Sequence, residues 1–319
     1  MRKIPKELKL LRELWGGFRA SRVLITANNL GVFERLSTEK DAGQVARLIS
    51  ADRRATEILL DALTGLGLLK KKNGRYINSK VSEMFLVRKS PYYQGDIIRH
   101  ADSLWKNWSG LDEVVRSGRP NRASHDHESF IRGMHNIAAL KAGSVLDAIG
   151  LRGVRRALDL GGGPGTYSIE MARRGIEATI FDLPDTIKIA KDIVRKSKVN
   201  GVKFISGDFL NSDIGGGYDM VFISQILHSL SIDDSKYLLK KASASLNPKG
   251  RIVIQEFYIN RERTSPMDSA LFSVNMLVNT EGGRCYTSQE IKSWLKEIGL
   301  RAISERLLGD VVLIMGSLP

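Results

Sequence analysis

The sequence predicts an α/β protein in which a doubly wound, mostly parallel Rossmann-like sheet ends in an antiparallel hairpin. A mainly helical, winged-helix-like domain precedes the sheet. Three observations lead to this prediction. Strand and helix patterns alternate after residue 150, a glycine-dense turn follows the first of these strands, and the first 86 residues follow the order helix, helix, hairpin. We therefore expect a winged-helix-like domain over 1–100, a helical linker over 101–150 and the sheet domain over 151–319.

The first segment is predicted to contain short helices followed by a hairpin. Apolar residues recur at helical spacing over 8–35, over 41–49 and over 52–67. Asn73-Gly74 then separates two short extended runs, which is a strong signal for a two-residue hairpin turn. This order is typical of a winged helix.

The third predicted helix carries a broad apolar face. Its members are Ile58, Leu59, Ala62, Leu63 and Leu66. Together with an amphipathic first helix, this face offers more apolar surface than so small a domain can bury. We therefore expect a homodimer built through residues 1–100.

The second half of the chain alternates between strand and helix patterns. Residues 95–150 show helical patterns without strand signals. The predicted strands after them are 155–160, 177–182, 202–206, 218–224 and 251–259, followed by a hairpin of 301–309 with 310–317. In a doubly wound sheet, a ligand binds beyond the carboxyl ends of the strands.

The composition predicts a globular protein and argues against membrane-spanning, secreted and disulfide-rich classes. The 319 residues are 42% hydrophobic and 26% charged, which suits a globular chain with a sizeable core. No segment is apolar for about 18 residues, and the first residues lack an uninterrupted apolar run, so we expect neither a membrane span nor a secretion signal. A single cysteine, Cys285, rules out an internal disulfide and fits a reducing cytosol, so we expect a cytoplasmic protein.

The formal net charge of +14 favours anionic partners. The excess is concentrated in the first third of the chain, notably at Arg53, Arg54 and the lysines at 70–72. A solvated basic surface explains this pattern, and we do not expect nucleic acid as a partner. A winged-helix regulator that binds DNA stays open as an alternative.

Three kinds of nucleotide-binding site contain a glycine-dense turn, and the residues around this turn distinguish between them. A phosphate-binding P-loop would need a lysine after the last glycine, but Gly165 is followed by Thr166. A dinucleotide fingerprint would need glycine at that same position, which weakens this interpretation. What remains is Asp159-x-Gly161-x-Gly163-x-Gly165, which resembles the first motif of class I S-adenosylmethionine-dependent methyltransferases.

Acidic residues follow the next two strands in the order that such a cofactor requires. S-adenosylmethionine carries a sulfonium cation and no phosphate, so its pocket needs close backbone approach and carboxylates. Asp182, about 20 residues after Gly161, could accept hydrogen bonds from the ribose hydroxyls. Asp208 could meet the adenine amino group, and Phe209 could cover the ring.

Nearly the whole chain resembles a family of small-molecule O-methyltransferases that join an N-terminal winged-helix dimerisation domain to a methyltransferase domain. The family includes the plant caffeic acid and flavonoid enzymes and bacterial natural-product enzymes. The resemblance lies in "LDLGGGPG", "FDLP", "GDF", "ISQILHSLSIDDSKYLLKKA", "GRIVIQEFYI" and "EGGRCYTSQEIKSWLKEIGL". It implies S-adenosylmethionine as the cofactor and a small, aromatic or polycyclic acceptor.

The resemblance also implies roles for individual residues. His228 matches the general base and Glu256 the acid that steers its imidazole. Leu183 and Ser224 fall at cofactor-binding positions. The residues at acceptor-lining positions are Phe130, Met134, Asn275 and Met276.

Three departures from the family pattern affect the chemistry. The plant His-Asp-Trp is His228-Ser229-Leu230 here, the basic residue four positions before the histidine is Ser224, and the family's second acid falls on Cys285. Glu281 or Glu290 could substitute for that second acid. Methylation at carbon or nitrogen, or another reaction of the cofactor on the same scaffold, therefore stays open beside methylation at oxygen.

His125-Asp126-His127 could in principle bind a metal, but we interpret it as a solvated loop and predict no metal site. Cys285 has no visible partner that would activate it as a nucleophile. The identity of the acceptor is not encoded in any motif.

Overall fold

The computed structural model describes residues 6–319, which form two compact units that divide between Asp102 and Ser103. The helices of the first unit are α1 (Lys6–Gly16), α2 (Phe18–Asn29), α3 (Val32–Arg35), α4 (Ala42–Leu48), α5 (Arg53–Gly65), α6 (Lys80–Phe85) and the start of α7 (Gly95–Trp108). Its strands are β1 (Lys40–Asp41), β2 (Leu69–Lys72) and β3 (Arg75–Asn78).

The predicted winged-helix order is confirmed in this unit. Strands β2 and β3 form an antiparallel hairpin, and β1 pairs with the outer side of β3. Asn73 and Gly74 both have positive φ, at 50° and 74°, as a hairpin turn of type I′ requires. Asp41 and Asp52 cap the amino termini of α4 and α5 by accepting backbone N–H groups, which explains where these helices begin.

The single helix predicted over 8–35 is wrong, because the segment forms α1, α2 and α3. The first break falls at Gly17 between α1 and α2, and the second at Gly31, which has a φ of 70°. This left-handed conformation ends a helix and favours glycine. Apolar periodicity continues across both breaks, so the sequence pattern did not reveal them.

The apolar face predicted for α5 is divided between the core and the surface. Of the five predicted members, Leu63 is buried and Leu59 is half-buried, whereas Ala62, Ile58 (57%) and Leu66 (45%) are exposed. The buried face of α5 consists of Thr56, Leu60 and Leu63, so most of the predicted face points to solvent. The core of this unit joins α5 to α3 and the hairpin through Phe33, Leu60, Leu63 and Tyr76. The outer apolar residues of α5 are therefore not needed for the core of this unit.

The second unit carries the predicted sheet. Its strands are β4 (Arg156–Leu160), β5 (Glu177–Asp182), β6 (Val202–Ser206), β7 (Tyr218–Ser224), β8 (Leu246–Phe257), β9 (Arg301–Leu308) and β10 (Val311–Ser317). Its helices after α7 are α8 (Leu111–Ser117), α9 (His127–Ala139), α10 (Ala142–Ile149), α11 (Thr166–Arg173), α12 (Pro184–Ser197), α13 (Ile232–Ala244), α14 (Met267–Asn279) and α15 (Ser288–Glu297).

The strand order is β6-β5-β4-β7-β8-β10-β9, parallel from β6 to β8 and antiparallel on both sides of β10. The doubly wound sheet and its C-terminal hairpin are thus confirmed. Strand β8 spans 246–257 rather than the predicted 251–259, because Leu246 already pairs with Tyr218 before a shift in register. The order reverses between β4 and β7, so their carboxyl ends form the switch point where a ligand is expected.

Apolar side chains cover both faces of this sheet. Leu158 and Leu160 of β4 belong to the cluster that includes α13 and α15, whereas Ala157 belongs to the cluster with α10 and α11. Successive side chains of a strand point to opposite faces, so polar residues near the strand ends are also divided between the two sides. Within residues 6–319, no helix combines the length and apolarity that crossing a membrane requires.

Candidate active site

The glycine loop leaves β4 and enters α11 at the switch point. The N–H groups of Gly161 and Gly162 both donate to the Phe181 carbonyl of β5, at 2.9 and 3.3 Å. A Cβ atom on Gly161 would lie 2.5 Å from Ile226 Cδ1, and φ is 70° there, so a side chain would be strained and would displace Ile226. Gly163, with a φ of 54°, would meet no heavy atom within 4 Å. One side of the loop is therefore open to a ligand that approaches the bare backbone.

Asp159 supports this loop from inside the protein. Its side chain is buried and accepts a hydrogen bond of 2.7 Å from the Ser168 hydroxyl of α11. Burial raises the pKa of Asp159 to about 7, and the hydrogen bond from Ser168 opposes this shift only in part. The structure thus places Asp159 beneath the loop, and does not bring it to the open side with the other predicted cofactor residues.

Asp182 lies at the end of β5 and holds the loop from its open side. One carboxylate oxygen accepts the Gly163 N–H at 2.8 Å and the other accepts the Leu183 N–H at 2.7 Å. Burial raises the pKa of Asp182, although these backbone groups and Thr186 partly counteract the effect. Each oxygen retains a lone pair that could accept a ribose hydroxyl. Leu183, at 50% exposure, stands next to this carboxylate.

Asp208 and Phe209 follow β6. Asp208 accepts the Leu210 N–H at 2.9 Å and the Asn211 side-chain amide at 2.6 Å, which closes a local turn. Phe209 is half-buried, with a ring carbon 3.7 Å from where a Gly161 Cβ would lie. Phe209 and Ile226 therefore flank the same glycine. Ile226 was missed by the sequence analysis, since an isoleucine in a strand-to-turn segment looks like ordinary core.

His228 and Glu256 form the predicted pair. His228 lies in a 3₁₀ turn (Leu227–Ser229) after β7, and its Nδ1 is 2.7 Å from Oε2 of Glu256 in β8. The backbone N–H of His228 also donates to Oε1 of Glu256 at 3.3 Å. Both side chains are buried, and the ring of Phe272 in α14 packs edge-on against the imidazole at 4.9 Å. Two bonds to one carboxylate thus hold the histidine in a fixed orientation.

Cys285 occupies the position of the family's second acid as a neutral, buried side chain. Its thiol lies 3.3 Å from the Ser269 carbonyl, and burial raises its pKa to about 11. The suggested substitutes serve elsewhere, because Glu281 is exposed and 3.7 Å from Arg122, while Glu290 caps α15. Neither is hydrogen-bonded to His228 among the residues that the structure describes, whereas Glu256 is, so the suggestion stays a prediction without a supporting contact.

Ser224 ends β7 beside two buried polar residues that the sequence analysis missed. Burial raises the pKa of the Tyr167 phenol to about 12, although the neighbouring Gln255 and Ser224 side chains act against this shift. Gln255 is fully buried, yet neither atom of its amide makes a hydrogen bond of normal geometry. Gln225, which follows Ser224, has a φ of 55°, a strained value of the kind found at functional sites.

The predicted acceptor-lining residues lie on two helices. Phe130 and Met134 are half-buried on α9, which packs against α11 and α12. Met276 on α14 is buried, and Asn275 lies one helical turn after Phe272. Through Phe272, α14 reaches the imidazole of His228 directly.

His125-Asp126-His127 is not a solvated loop throughout. Asp126 caps the amino terminus of α9, and Nε2 of His127 lies 3.1 Å from the hydroxyl of Thr186 in α12. His135, two turns further along α9, meets the hydroxyl of Thr166 at 2.8 Å. Two histidines of α9 thus contact the first turns of the helices that follow β4 and β5. Among residues 6–319, no group of three His, Cys, Asp or Glu side chains could hold a metal ion.

Comparison with known proteins gives matches over both units. Residues 93–301 match the model of the O-methyltransferase domain, and residues 12–88 match that of the O-methyltransferase dimerisation domain. The chain is 32% identical over 306 residues to 3-hydroxy-5-methyl-1-naphthoate 3-O-methyltransferase of Streptomyces sahachiroi, covering 91% of this chain and 88% of that protein. It is 29% identical over 327 residues to acetylserotonin O-methyltransferase of Bos taurus, covering 94% of each.

A solved structure agrees with these matches. Human N-acetylserotonin methyltransferase in complex with S-adenosylmethionine aligns with a TM-score of 0.91 at 26% identity, over 100% of this chain and 99% of that one.

Proposed function

This chain belongs to the family of S-adenosylmethionine-dependent O-methyltransferases, and we propose that it methylates a hydroxyl of a small aromatic acceptor with His228 as the general base. The names of two relatives, which specify a hydroxynaphthoate and acetylserotonin, support an aromatic hydroxyl as the target. The observation that carries the proposal is the turn after β7. Ile226 of this turn contacts the glycine loop, and His228, two residues later, is held by Glu256.

The residues of the loop fit the cofactor. Gly163 leaves space for close approach, Asp182 offers lone pairs for the ribose, and Asp208 with Phe209 follows the next strand. S-adenosylmethionine, when bound, supplies an electrophilic methyl group on a sulfonium. We assign Leu183 and Ser224 to the edge of this site, whereas Asp159 positions the loop without contacting the cofactor.

The tautomer of His228 follows from its partner. An ionised carboxylate only accepts hydrogen bonds, so Nδ1 of His228 carries the proton that points at Glu256. Nε2 is then the basic nitrogen, and its role is to take the proton of the acceptor hydroxyl, while the cofactor would supply the methyl group that replaces this proton. Glu256 stabilises the imidazolium that forms. Holding the reacting atoms in line contributes roughly 7–11 kcal/mol in well-oriented reactions.

The acceptor is proposed to lie between residues of the 101–150 segment and α14. Phe130 and Met134 supply an apolar wall on the side of α9, while Asn275 offers a polar group near Phe272 and His228. Met276 is buried, so we assign it to the packing that supports Asn275. This arrangement suits a flat, mainly apolar molecule with a few polar groups.

His228→Ala tests the proposal. We expect turnover on hydroxynaphthoate or hydroxyindole acceptors to fall about 10²–10⁴-fold, the usual effect of losing acid-base assistance. Affinity for S-adenosylhomocysteine, measured by calorimetry, is expected to stay within about 3-fold. His125→Ala, which changes an exposed histidine, is the matched control. Wild-type turnover in His228→Ala, or a product that carries the methyl group on carbon or nitrogen by NMR, would contradict the proposal.

We also propose a homodimer built through the first unit, consistent with the dimerisation-domain match. The α1 segment and the residue after Gly17 expose a row of large apolar side chains, at 53–66% each: Leu10, Leu11, Leu14, Trp15 and Phe18. Water-exposed apolar rows of this size favour association. The alternative role in DNA binding has less support, since Lys71 of the basic hairpin is paired with Asp61 at 2.7 Å.

Light scattering distinguishes these two roles. We expect wild type to be dimeric and Leu14→Glu to be monomeric, because a buried charge without a partner opposes association. Lys9→Glu, a charge change on the same helix at an exposed residue, is expected to remain dimeric. A monomeric wild type with tight, salt-sensitive DNA binding would support the regulator instead.

A further inference from the structure

A continuous chain of side-chain amides joins α7 to α14. Asn107 Nδ2 donates to Oδ1 of Asn279 at 2.7 Å, and Asn279 Nδ2 donates to Oδ1 of Asn275 at 3.0 Å. The same Asn275 oxygen accepts the indole N–H of Trp108 at 2.9 Å. At the other end, Oδ1 of Asn107 accepts the backbone N–H of Ser124 at 2.8 Å. Asn107 is buried, whereas Asn275 and Asn279 are half-buried, so the network runs from the interior towards the surface of α14.

The N–H donors at the two ends of this amide network fix the orientation of every amide in it. A backbone N–H and an indole N–H can only donate. The N–H of Ser124 therefore requires the oxygen of Asn107 to face it, so the NH₂ group of Asn107 points towards Asn279. The oxygen of Asn279 accepts this bond, so its NH₂ group points towards Asn275. At the opposite end, the indole N–H of Trp108 requires the oxygen of Asn275 to face it. An amide cannot rotate by 180° at any position without placing two donors or two acceptors against each other.

The consequence is that Asn275 presents its NH₂ group outward. Its oxygen is used twice, and among residues 6–319 no acceptor takes a hydrogen bond from its Nδ2. Asn275 is half-buried and follows Phe272 by three residues, which places the two side chains on the same face of α14. Phe272 packs against the imidazole of His228, so the donor group lies within about one helical turn, roughly 5 Å along the axis, of that contact.

We propose that Trp108, Asn279 and Asn107 are positioning residues that fix Asn275 as a pure hydrogen-bond donor, and that the acceptor molecule therefore carries a carbonyl or carboxylate oxygen beside the hydroxyl that is methylated. This inference rests on the proposed function. The reacting oxygen is a poor partner for Asn275, because a hydrogen bond donated to its attacking lone pair would lower its nucleophilicity. A second oxygen satisfies the donor without that cost.

A pair of isosteric acceptors tests the inference. In 1-acetyl-3-hydroxynaphthalene a ketone oxygen is available, and in 3-hydroxy-1-isopropenylnaphthalene a CH₂ group of similar shape replaces it. We expect wild-type kcat/KM to favour the ketone about 3–10-fold, the effect of one hydrogen bond. Asn275→Leu is expected to abolish the preference. Asn275→Asp, which keeps its bonds to Trp108 and Asn279 but faces the acceptor with an oxygen, is expected to reverse it.

The positioning role is tested by removing the two donors that hold Asn275. Trp108→Phe combined with Asn279→Leu leaves the amide free to rotate, so the ketone preference is expected to fall to within about 2-fold of unity. Either single substitution should give an intermediate ratio. Trp294→Phe, a similar loss of volume at a tryptophan that packs on Tyr286, is expected to keep the wild-type ratio. Calorimetry with S-adenosylhomocysteine verifies that each variant is folded.

The outcomes separate this inference from the proposed function. Methylation of both compounds by wild type with equal kcat/KM would overturn the inference and leave O-methylation intact. Methylation of neither compound, nor of the other hydroxyaryl acceptors, would count against both. A double variant that retains the full wild-type ratio would show that Asn275 needs no positioning residues. The wild-type ratio is decisive even if a variant fails to fold.

Discussion

Gln255 and Glu256 are neighbours on β8 and lie on opposite faces of the same sheet, but their surroundings differ. Glu256 is buried and uses both carboxylate oxygens on His228. Gln255 is buried on the side of α11, near Tyr167, and its amide makes no hydrogen bond of normal geometry. Two polar residues of similar size thus have opposite consequences for the energy of the fold, because one makes hydrogen bonds of normal geometry and the other makes only a poorly aligned approach to Tyr167.

The α11 side of the sheet also contains the buried carboxylate of Asp159. Its carboxylate accepts hydrogen bonds from the hydroxyl and backbone of Ser168, whereas Glu256 accepts two from His228. Desolvation outweighs the two bonds from Ser168, and the nearby charge of Asp182 adds to its effect, which is why burial dominates the pKa of Asp159. The comparison indicates that the His228 side gives its buried carboxylate a hydrogen-bonded partner, as the proposed base requires, and that the α11 side carries polar groups at a cost in stability.

The largest effect is expected for Glu256→Gln. The amide can still accept the Nδ1–H of His228, but it no longer stabilises an imidazolium by charge, so we expect turnover to fall about 10–10³-fold, less than for His228→Ala. Steady-state kinetics at saturating cofactor measures this change. Glu281→Gln, at an exposed carboxylate, is the control. Unchanged turnover would mean that Glu256 contributes orientation only.

The second effect concerns stability and pH at Asp159. Because its pKa is about 7 in the folded protein and 3.8 as the reference, the folded state retains a proton that the unfolded chain loses. The contribution of this group to stability is therefore full below pH ~4 and is lost as the pH rises towards 7. Asn does not titrate. The free energy of unfolding of Asp159→Asn relative to wild type is therefore expected to increase by roughly 2–3 kcal/mol as the pH rises from 5 to 8.

Urea denaturation at the two pH values measures this gain. Asp185→Asn, at an exposed carboxylate in the first turn of α12, is the matched control and should show no such gain. A stability difference between Asp159→Asn and wild type that does not change with pH would show that Asp159 is ionised throughout.

The smallest effect is expected for Gln255→Leu. Replacing an unpartnered buried amide by an apolar group of similar volume should raise the free energy of unfolding by about 1–2 kcal/mol, since the cost of desolvating the amide disappears. Thermal or urea denaturation measures it, and Glu256→Leu, on the opposite face, is expected to destabilise instead. A loss of stability in Gln255→Leu would indicate that the amide has a partner, such as a buried water molecule.

Much of the site could be predicted because strand ends are visible in the sequence. Asp182 and Asp208 were predicted from strands whose apolar runs end at or just before them, whereas His228 and Glu256 were predicted from the resemblance to the family. Ile226 and Gln255 were not predicted, because an isoleucine or a glutamine at such a position is common in ordinary strands and cores. Trp108 and Asn107 were missed for another reason, because their partners Asn275 and Asn279 are more than 160 residues away.

The doubly wound sheet, the winged-helix order and the glycine loop can be predicted from local patterns, because they depend on short-range periodicity and on residues such as glycine whose conformational range is special. The side of the sheet that each polar group faces, and the partner it finds there, depend on packing between distant segments. The tertiary structure turned Asp159 inward, gave His228 the carboxylate of Glu256, divided the apolar face of α5 and oriented Asn275 through Trp108. Hydrogen bonds between distant segments depend on positions set by packing, and no local pattern in the chain records them.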